Sequence, residues 1–399
     1  MSGIISLLLS VATAGLTLSS DTIPHTPAIH KLEITSGYDY MATSVDDEIR
    51  DRIPEDERIT RHSSFPVNIK YSFLLTNPKV RNYYRDGYQG IGVGFLNIGG
   101  GEPGGVASAS KHIGYPVSAY VFQGGPFWRP SKRVNFNYEW NFGASFGWKP
   151  YDRFTNNNFN LVVGSRVNAY LNLSMLMIWK ITDKFSLSGG IALSHYSNGN
   201  TSWPNPGVNS WGVRLGASYT FNPMKKELPL PEPDTVARRK MEYDITLWGA
   251  LRKRVYLGGE KPILLNGHYT CAGVSFAPMV RLNTWWRAGG GLDIQWDESS
   301  DLKKNYSSGT RPDDIKFYRP SFGRQLSFGL SCHGELQMPI FAVNVGIGYN
   351  LYAPEENRGS YQNITLKTYF SRKIFLNVGY QLRNFRQQAH LMLGMGVTI

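Results

Sequence analysis

The sequence predicts an all-β protein, a transmembrane antiparallel β-barrel, and three observations carry that prediction. Polar and apolar residues alternate with period two along most of the 399-residue chain. Aromatic residues make up 13% of it, with 23 Tyr, 10 Trp and 42 Gly, a mixture suited to strands that turn one face to lipid. The mean hydropathy is only -0.30, and past the N-terminus no stretch approaches the roughly 18 uninterrupted apolar residues that a membrane-spanning helix requires. If the chain crosses a membrane, it does so with strands.

The elements follow in order. Residues 4–11, IISLLLSV, are an apolar run followed by Ala12, Thr13 and Ala14, the small-x-small pattern of a signal-peptidase site. A signal peptide over 1–20 is therefore expected, and with it export, although the segment has no Lys or Arg beyond the amino terminus. In FPVNIKYSF, Phe65, Val67, Ile69, Tyr71 and Phe73 share one face, and Asn68, Lys70 and Ser72 the other. VNFNYEWNF repeats this, with Val134, Phe136, Tyr138, Trp140 and Phe142 opposed to Asn135, Asn137, Glu139 and Asn141. Such segments run to about 9–12 residues, the length a tilted membrane strand needs. Eight strands are expected near 31–41, 63–75, 88–98, 117–126, 133–148, 160–180, 185–197 and 210–221.

Residues 222–240, NPMKKELPLPEPDTVARRK, then interrupt the alternation with prolines and charge, as a linker would. It resumes with eight further strands near 241–254, 268–282, 285–297, 323–335, 340–352, 362–370, 373–383 and 390–399. The expected organisation is a barrel unit over 21–221, the linker, and a second barrel-like half over 241–399. KFSLSGGIAL at 184–193 and KIFLNVGYQL at 373–382 are alike, as are the segments that follow them, which suggests an internal duplication. Two small barrels or one of about sixteen strands would both close their edges, and the pattern leaves that choice open. With the mature N-terminus in the periplasm, loops 42–62, 99–116, 150–159 and 198–209 face outward.

Composition also bounds the partners. The net charge is +12, but the basic residues are scattered through turns and loops rather than gathered on a helix or RNA-binding motif, which argues against nucleic acid. A phosphorylated lipid headgroup is the anionic partner that suits an exported barrel, and a simply solvated basic rim suits it equally. Cys271 and Cys332 are too few for a disulfide framework and lack metal-ligand spacing; whether they pair is open. Nothing points to a metal or an organic cofactor.

One segment departs from routine alternation: IALSHYSNGNTSWPNPGVNSWGVRLG, residues 191–216. Phe185, Leu187, Gly189, Ile191, Leu193, His195 and Ser197 fall on the lipid face of the seventh strand, whereas Ser186, Ser188, Gly190, Ala192 and Ser194 point into the lumen. Two polar residues at a barrel rim cost only about 0–1 kcal/mol, so on spacing alone they could be incidental members of a girdle. Residues two apart on one strand face have Cα atoms roughly 6.5–7 Å apart, close enough for a histidine base to reach a serine hydroxyl.

HYSN followed by a Gly/Asn/Pro loop containing PNPG resembles the signature of the PagL-type lipid A 3-O-deacylases, also called acyloxyacyl hydrolases. The resemblance centres on residues 185–221 and does not extend as a site to the second half, where the equivalent positions are Asn384 and Arg386. It implies an eight-stranded outer-membrane serine esterase acting on lipid A or lipopolysaccharide, with His195 as base, Ser197 as nucleophile, and Asn198 and Asn205 as oxyanion donors. The acidic member of the family's triad falls on Asn209, which cannot supply a carboxylate. Asn209 shares the outward face of Trp211, Val213 and Leu215 and could orient the imidazole, as asparagine does in Cys-His-Asn hydrolases. The alternative expectation is a non-catalytic outer-membrane barrel, a pore or a structural or binding protein, derived from such an enzyme.

Overall fold

The computed structural model describes residues 29–43, 61–74, 87–99, 113–152, 160–223, 240–256, 263–265, 267–283, 285–307, 316–337, 341–371, 373–385 and 387–399. The expected signal peptide, most of the linker, and the loops over 44–60, 100–112 and 153–159 lie outside the described residues.

The first unit is a closed antiparallel barrel of eight strands. These are β1 (His30–Thr43), β2 (Arg61–Leu74), β3 (Tyr88–Gly99), β4 (Gly114–Trp128), β5 (Val134–Trp148), β6 (Val167–Lys180), β7 (Phe185–Ser197) and β8 (Val208–Thr220). Each pairs with its neighbour, and β1 closes on β8 from Lys31↔Thr220 to Thr43↔Val208. The second unit starts at β9 (Met241–Arg252). It continues through the hairpin β10 (Val255–Tyr256) and β11 (Ile263–Leu264), then β12 (Tyr269–Arg281) and β13 (Trp286–Asp297). A second small hairpin, β14 (Tyr306–Ser307) and β15 (Lys316–Phe317), precedes β16 (Leu326–Gln337), β17 (Phe341–Tyr352), β18 (Gly359–Tyr369), β19 (Ile374–Arg383) and β20 (Gln387–Thr398). Its eight long strands also form a closed barrel, with β20 paired to β9. The chain therefore builds two eight-stranded barrels and not one of sixteen. Among the described residues no helix is long and apolar enough to cross a membrane.

Burial is inverted relative to a water-soluble sandwich. Ile34, Val67, Ile91, Leu173, Ile191 and Leu215 of the first barrel are exposed, as are Leu247, Leu292, Leu330, Ile347, Ile364 and Leu393 of the second. Polar and charged side chains fill the lumens instead. Apolar surface left outside costs free energy in water and none in hydrocarbon, so this arrangement suits an apolar surrounding such as a bilayer.

Each lumen is closed by ion pairs that satisfy one another, as buried charges must. In the first barrel Lys70 lies 2.9 Å from Glu139 and 3.4 Å from Glu33, Lys31 lies 3.0 Å from Glu33, and Arg214 pairs with Asp39. A cavity of about 20 Å³ remains beside Lys70, Tyr120, Glu139, Tyr170 and Arg214, room for about one water. In the second barrel Arg287 pairs with Glu242, Asp244 and Glu335, and Lys367 lies 2.6 Å from both Asp244 and Glu335.

Two local features differ from the sequence expectation. Strand β6 begins at Val167, not at residue 160. Asn160 accepts hydrogen bonds from the Val162 and Val163 amides at 3.2 and 3.1 Å and donates to the Lys149 carbonyl at 2.7 Å. Its side chain thus takes backbone donors that a ladder would otherwise use. The small hairpins β10–β11 and β14–β15 have two-residue strands, too short to show alternation.

Candidate functional site

The outer ends of β7 and β8 are held in rotation from inside the barrel. On β7, Tyr196 points inward and stacks on Tyr170 at 5.0 Å, with Trp148 at 5.2 Å. Ser194, also inward, accepts a hydrogen bond from Asn172 at 2.9 Å. On β8, Ser210 donates to Asp39 at 3.0 Å, and Arg214 donates to the same carboxylate at 2.8 Å. Because side chains alternate along a strand, fixing Ser194, Tyr196, Ser210 and Arg214 inside turns His195, Ser197 and Asn209 outside.

The three outward residues meet. His195 and Asn209 are opposite each other in the β7–β8 ladder. The Asn209 Oδ1 lies 2.7 Å from His195 Nδ1, and the Ser197 Oγ lies 2.9 Å from His195 Nε2. An amide oxygen only accepts, so Nδ1 carries the hydrogen and Nε2 presents its lone pair to the serine hydroxyl. That is the tautomer a general base needs. Asn209 is exposed and His195 half-buried. Ser197 is only 8% exposed, so the hydroxyl on the lipid face is sheltered rather than bare.

The loop after Ser197 is tied to itself. The Asn198 backbone N–H donates to Asn205 Oδ1 at 2.8 Å, and Asn198 Nδ2 to the Pro204 carbonyl at 3.4 Å. Asn198, which follows Ser197 in the chain, and Asn205 are both buried. With its oxygen held by a backbone donor, the Asn205 amide is locked in one orientation.

Sequence reasoning missed a second serine–histidine–asparagine cluster, in the other barrel. Ser331 Oγ lies 2.8 Å from His333 Nε2, and Asn344 Oδ1 lies 3.0 Å from His333 Nδ1. Ser331 and Asn344 are buried while Leu330 and Val345 beside them are exposed, so the cluster faces the lumen. The Ser331 hydroxyl donates to Asp293 at 2.6 Å, which the Tyr361 hydroxyl also contacts. Its proton is committed to a carboxylate and not to the imidazole. The signal for this cluster was the SxH spacing in β16, reversed from HxS and displaced to the opposite face.

At the position equivalent to the His195 loop, the second barrel has a tight turn with Asn384 at φ 49°; Arg386 lies outside the described residues. Both cysteines are free, Cys271 buried and Cys332 exposed. Among the described residues no cluster of His, Cys, Asp or Glu could hold a metal ion.

Comparison with protein families gives two matches. The lipid A 3-O-deacylase (PagL) model matches residues 77–218, which include His195, Ser197 and Asn209, and the acyloxyacyl hydrolase C-terminal domain model matches 241–399. No curated protein matches the chain. Among solved structures, the FrpB iron transporter from Neisseria meningitidis (F3-3 variant) is 10% identical, covering 92% of this chain and 61% of its own, with a TM-score of 0.22. This chain thus spans about three fifths of that transporter's length. An outer membrane channel from Pseudomonas putida F1 is 10% identical over 95% of this chain and 99% of its own, with a TM-score of 0.20. The toluene transporter TbuX from Ralstonia pickettii is 8% identical over 94% and 88%, with a TM-score of 0.17. Scores this low carry no argument.

Proposed function

Because the chain belongs to the lipid A 3-O-deacylase (PagL) family of outer-membrane barrels, we propose that it is a serine esterase that removes an ester-linked acyl chain from lipid A or a related outer-leaflet glycolipid. The observation that carries this is the outward relay from Asn209 through His195 to Ser197. It lies on the face the barrel turns to lipid, where an acyl ester in the outer leaflet can reach it.

In this mechanism His195 Nε2 takes the Ser197 proton as Oγ bonds to the ester carbonyl carbon. The negative charge moves to the carbonyl oxygen, and the side-chain amide of Asn205, with Asn198 beside it, donates to that oxyanion. Collapse breaks the bond to the sugar oxygen, which receives the proton from Nε2. Water then repeats the sequence on the acyl-serine, His195 again taking and returning a proton, and the fatty acid leaves. Asn209 holds the imidazole in the working tautomer throughout but adds no charge to stabilise the imidazolium. A pore is the less suitable function, because paired charges and aromatic rings pack the first lumen and an ion-pair network crosses the second.

Mass spectrometry of lipid A from cells with and without the protein tests the proposal. The wild-type chain should remove the mass of one acyl chain, and Ser197→Ala and His195→Ala should each abolish that loss while both barrels still show heat-modifiable migration on gels. Identical lipid A with and without the wild-type protein would refute the esterase.

A further inference from the structure

The imidazole of His195 has three edges that determine where its base points. Ser197 faces Nε2 at 2.9 Å and Asn209 faces Nδ1 at 2.7 Å. The third edge, Cε1 between the two nitrogens, faces the space that a side chain on Gly207 would fill. Gly207 is buried and adopts φ +78°, and a Cβ built there would stand 2.9 Å from His195 Cε1 and 3.2 Å from the Tyr196 carbonyl oxygen. A carbon at 2.9 Å lies well inside the roughly 3.5–4.0 Å optimum for a carbon–carbon contact. Any side chain at position 207 would therefore push the ring and turn both of its hydrogen bonds at once.

This clearance matters more here than in a triad with a carboxylate. A neutral hydrogen bond contributes less than one to a charged group, so the Asn209 amide restrains the ring less firmly than Asp or Glu would. We propose that Gly207 is a positioning residue for the esterase reaction, its lack of a side chain leaving the room in which the His195 imidazole sits between Asn209 and Ser197. The proposal rests on His195 acting as the base. It predicts that added bulk at 207 lowers the chemical step and the nucleophilicity of Ser197 while leaving substrate binding alone.

The test uses the purified full chain in mixed micelles of detergent and lipid A, with two readouts: fatty-acid release, and the rate at which a fluorophosphonate probe labels Ser197. Rates are expressed per folded barrel, measured by heat-modifiable migration. Gly207→Ala adds a Cβ, and Gly207→Asn adds one while keeping a residue that tolerates positive φ, which separates crowding of the ring from backbone strain. Gly267→Ala is the control, since Gly267 has φ +86° with nothing within 4 Å of the added carbon. A displacement of the base by about 1 Å costs on the order of 10²-fold. Both Gly207 variants should accordingly lose about that much in kcat and in labelling rate at unchanged KM, with Gly267→Ala matching wild type. Folded Gly207 variants with wild-type kcat and labelling would overturn the proposal and leave the esterase standing. Failure of both variants to fold would assign Gly207 to folding instead and would likewise overturn it. A wild-type protein inert to lipid A and to the probe would overturn the esterase, and this inference with it.

Discussion

Replacing Asn209 by Asp isolates the charge that this relay lacks. The two side chains have the same shape, and Asn209 Oδ1 already sits 2.7 Å from His195 Nδ1, so Asp places a carboxylate oxygen there without rearrangement. The tautomer is already correct, because the amide oxygen accepts from Nδ1–H. The loss of about 10⁴ that follows removal of the acid elsewhere, where the wrong tautomer results, is therefore not the measure of the gain. What changes is one hydrogen bond, from a neutral pair contributing about 0.5–1.5 kcal/mol to a charged one contributing about 1.5–3. The difference is roughly 1–1.5 kcal/mol, and solvent at the exposed Asn209 trims it. Since about 1.4 kcal/mol is a factor of ten in rate, kcat should rise by about five- to tenfold. Glu, one methylene longer, overreaches the same nitrogen and should gain less. Initial rates of fatty-acid release from purified lipid A check this, with heat-modifiable migration as the folding control. Folded Asn209→Asp with kcat at or below wild type would show that imidazolium stabilisation does not limit the reaction.

Four further outcomes are expected. A cysteine introduced at Ser202 should react with a membrane-impermeant thiol reagent on intact cells, and one introduced within 222–240 should not; surface labelling of the linker would reverse the topology. Lys70→Ala should cost about 3–5 kcal/mol of stability in urea titrations of the reconstituted protein, because Glu139 and Glu33 lose the cation buried between them; a loss below about 1 kcal/mol would contradict a buried, paired cluster. Burial alone would raise the Glu356 carboxyl, but Arg254 and Arg383 outweigh it and hold the group below the usual carboxylate range. Its contribution is thus complete above that range and lost as pH falls through it, and amide protection factors over 353–358, with the intrinsic pH dependence of exchange divided out, should fall on acidification while staying flat between pH 6 and 8. Finally, Ser331→Ala should leave acyl release unchanged, since that hydroxyl faces a lumen and donates to Asp293; any loss of activity in the folded variant would reopen the second barrel as a catalytic unit.

The long strands were legible because alternation is a local property, written into each segment by which residues must meet lipid. Their outward faces were legible for the same reason: Leu193 and Trp211 mark the face on which His195 and Asn209 lie. Closure was not, since whether β8 returns to β1 or passes to β9 depends on pairing across the whole chain. The lumenal ion pairs were equally hidden, Lys70 and Glu139 being 69 residues apart. Asn160 shows how one side chain ends a strand early: FNLVVGSRV alternates well enough to suggest β structure, but the Asn160 oxygen takes the Val162 and Val163 amides. The Asn209–His195 contact was expected from shared face and family position, whereas the clearance left at Gly207 beside His195 depends on a loop conformation that PNPG hints at without specifying.

The two barrels set the same residue types in different surroundings. Each has a serine hydroxyl under 3 Å from an imidazole whose other nitrogen meets an asparagine oxygen. In the first barrel the serine has an imidazole partner and no competing acceptor among the contacts described, and its relay lies on the lipid face with the hydroxyl sheltered. In the second, a carboxylate accepts the hydroxyl's hydrogen bond and the strand pleat turns the cluster inward, among charges that close the lumen. Parity along a strand decides which of these a sequence builds, because moving a histidine by one residue carries it from bilayer to lumen. For a substrate whose ester is confined to the outer leaflet, only the outward arrangement can perform the reaction. The same parity separates the site from the fold: His195 and Asn209 lie at the rim and leave the packed lumen untouched, so substitutions there should alter chemistry before they alter the barrel.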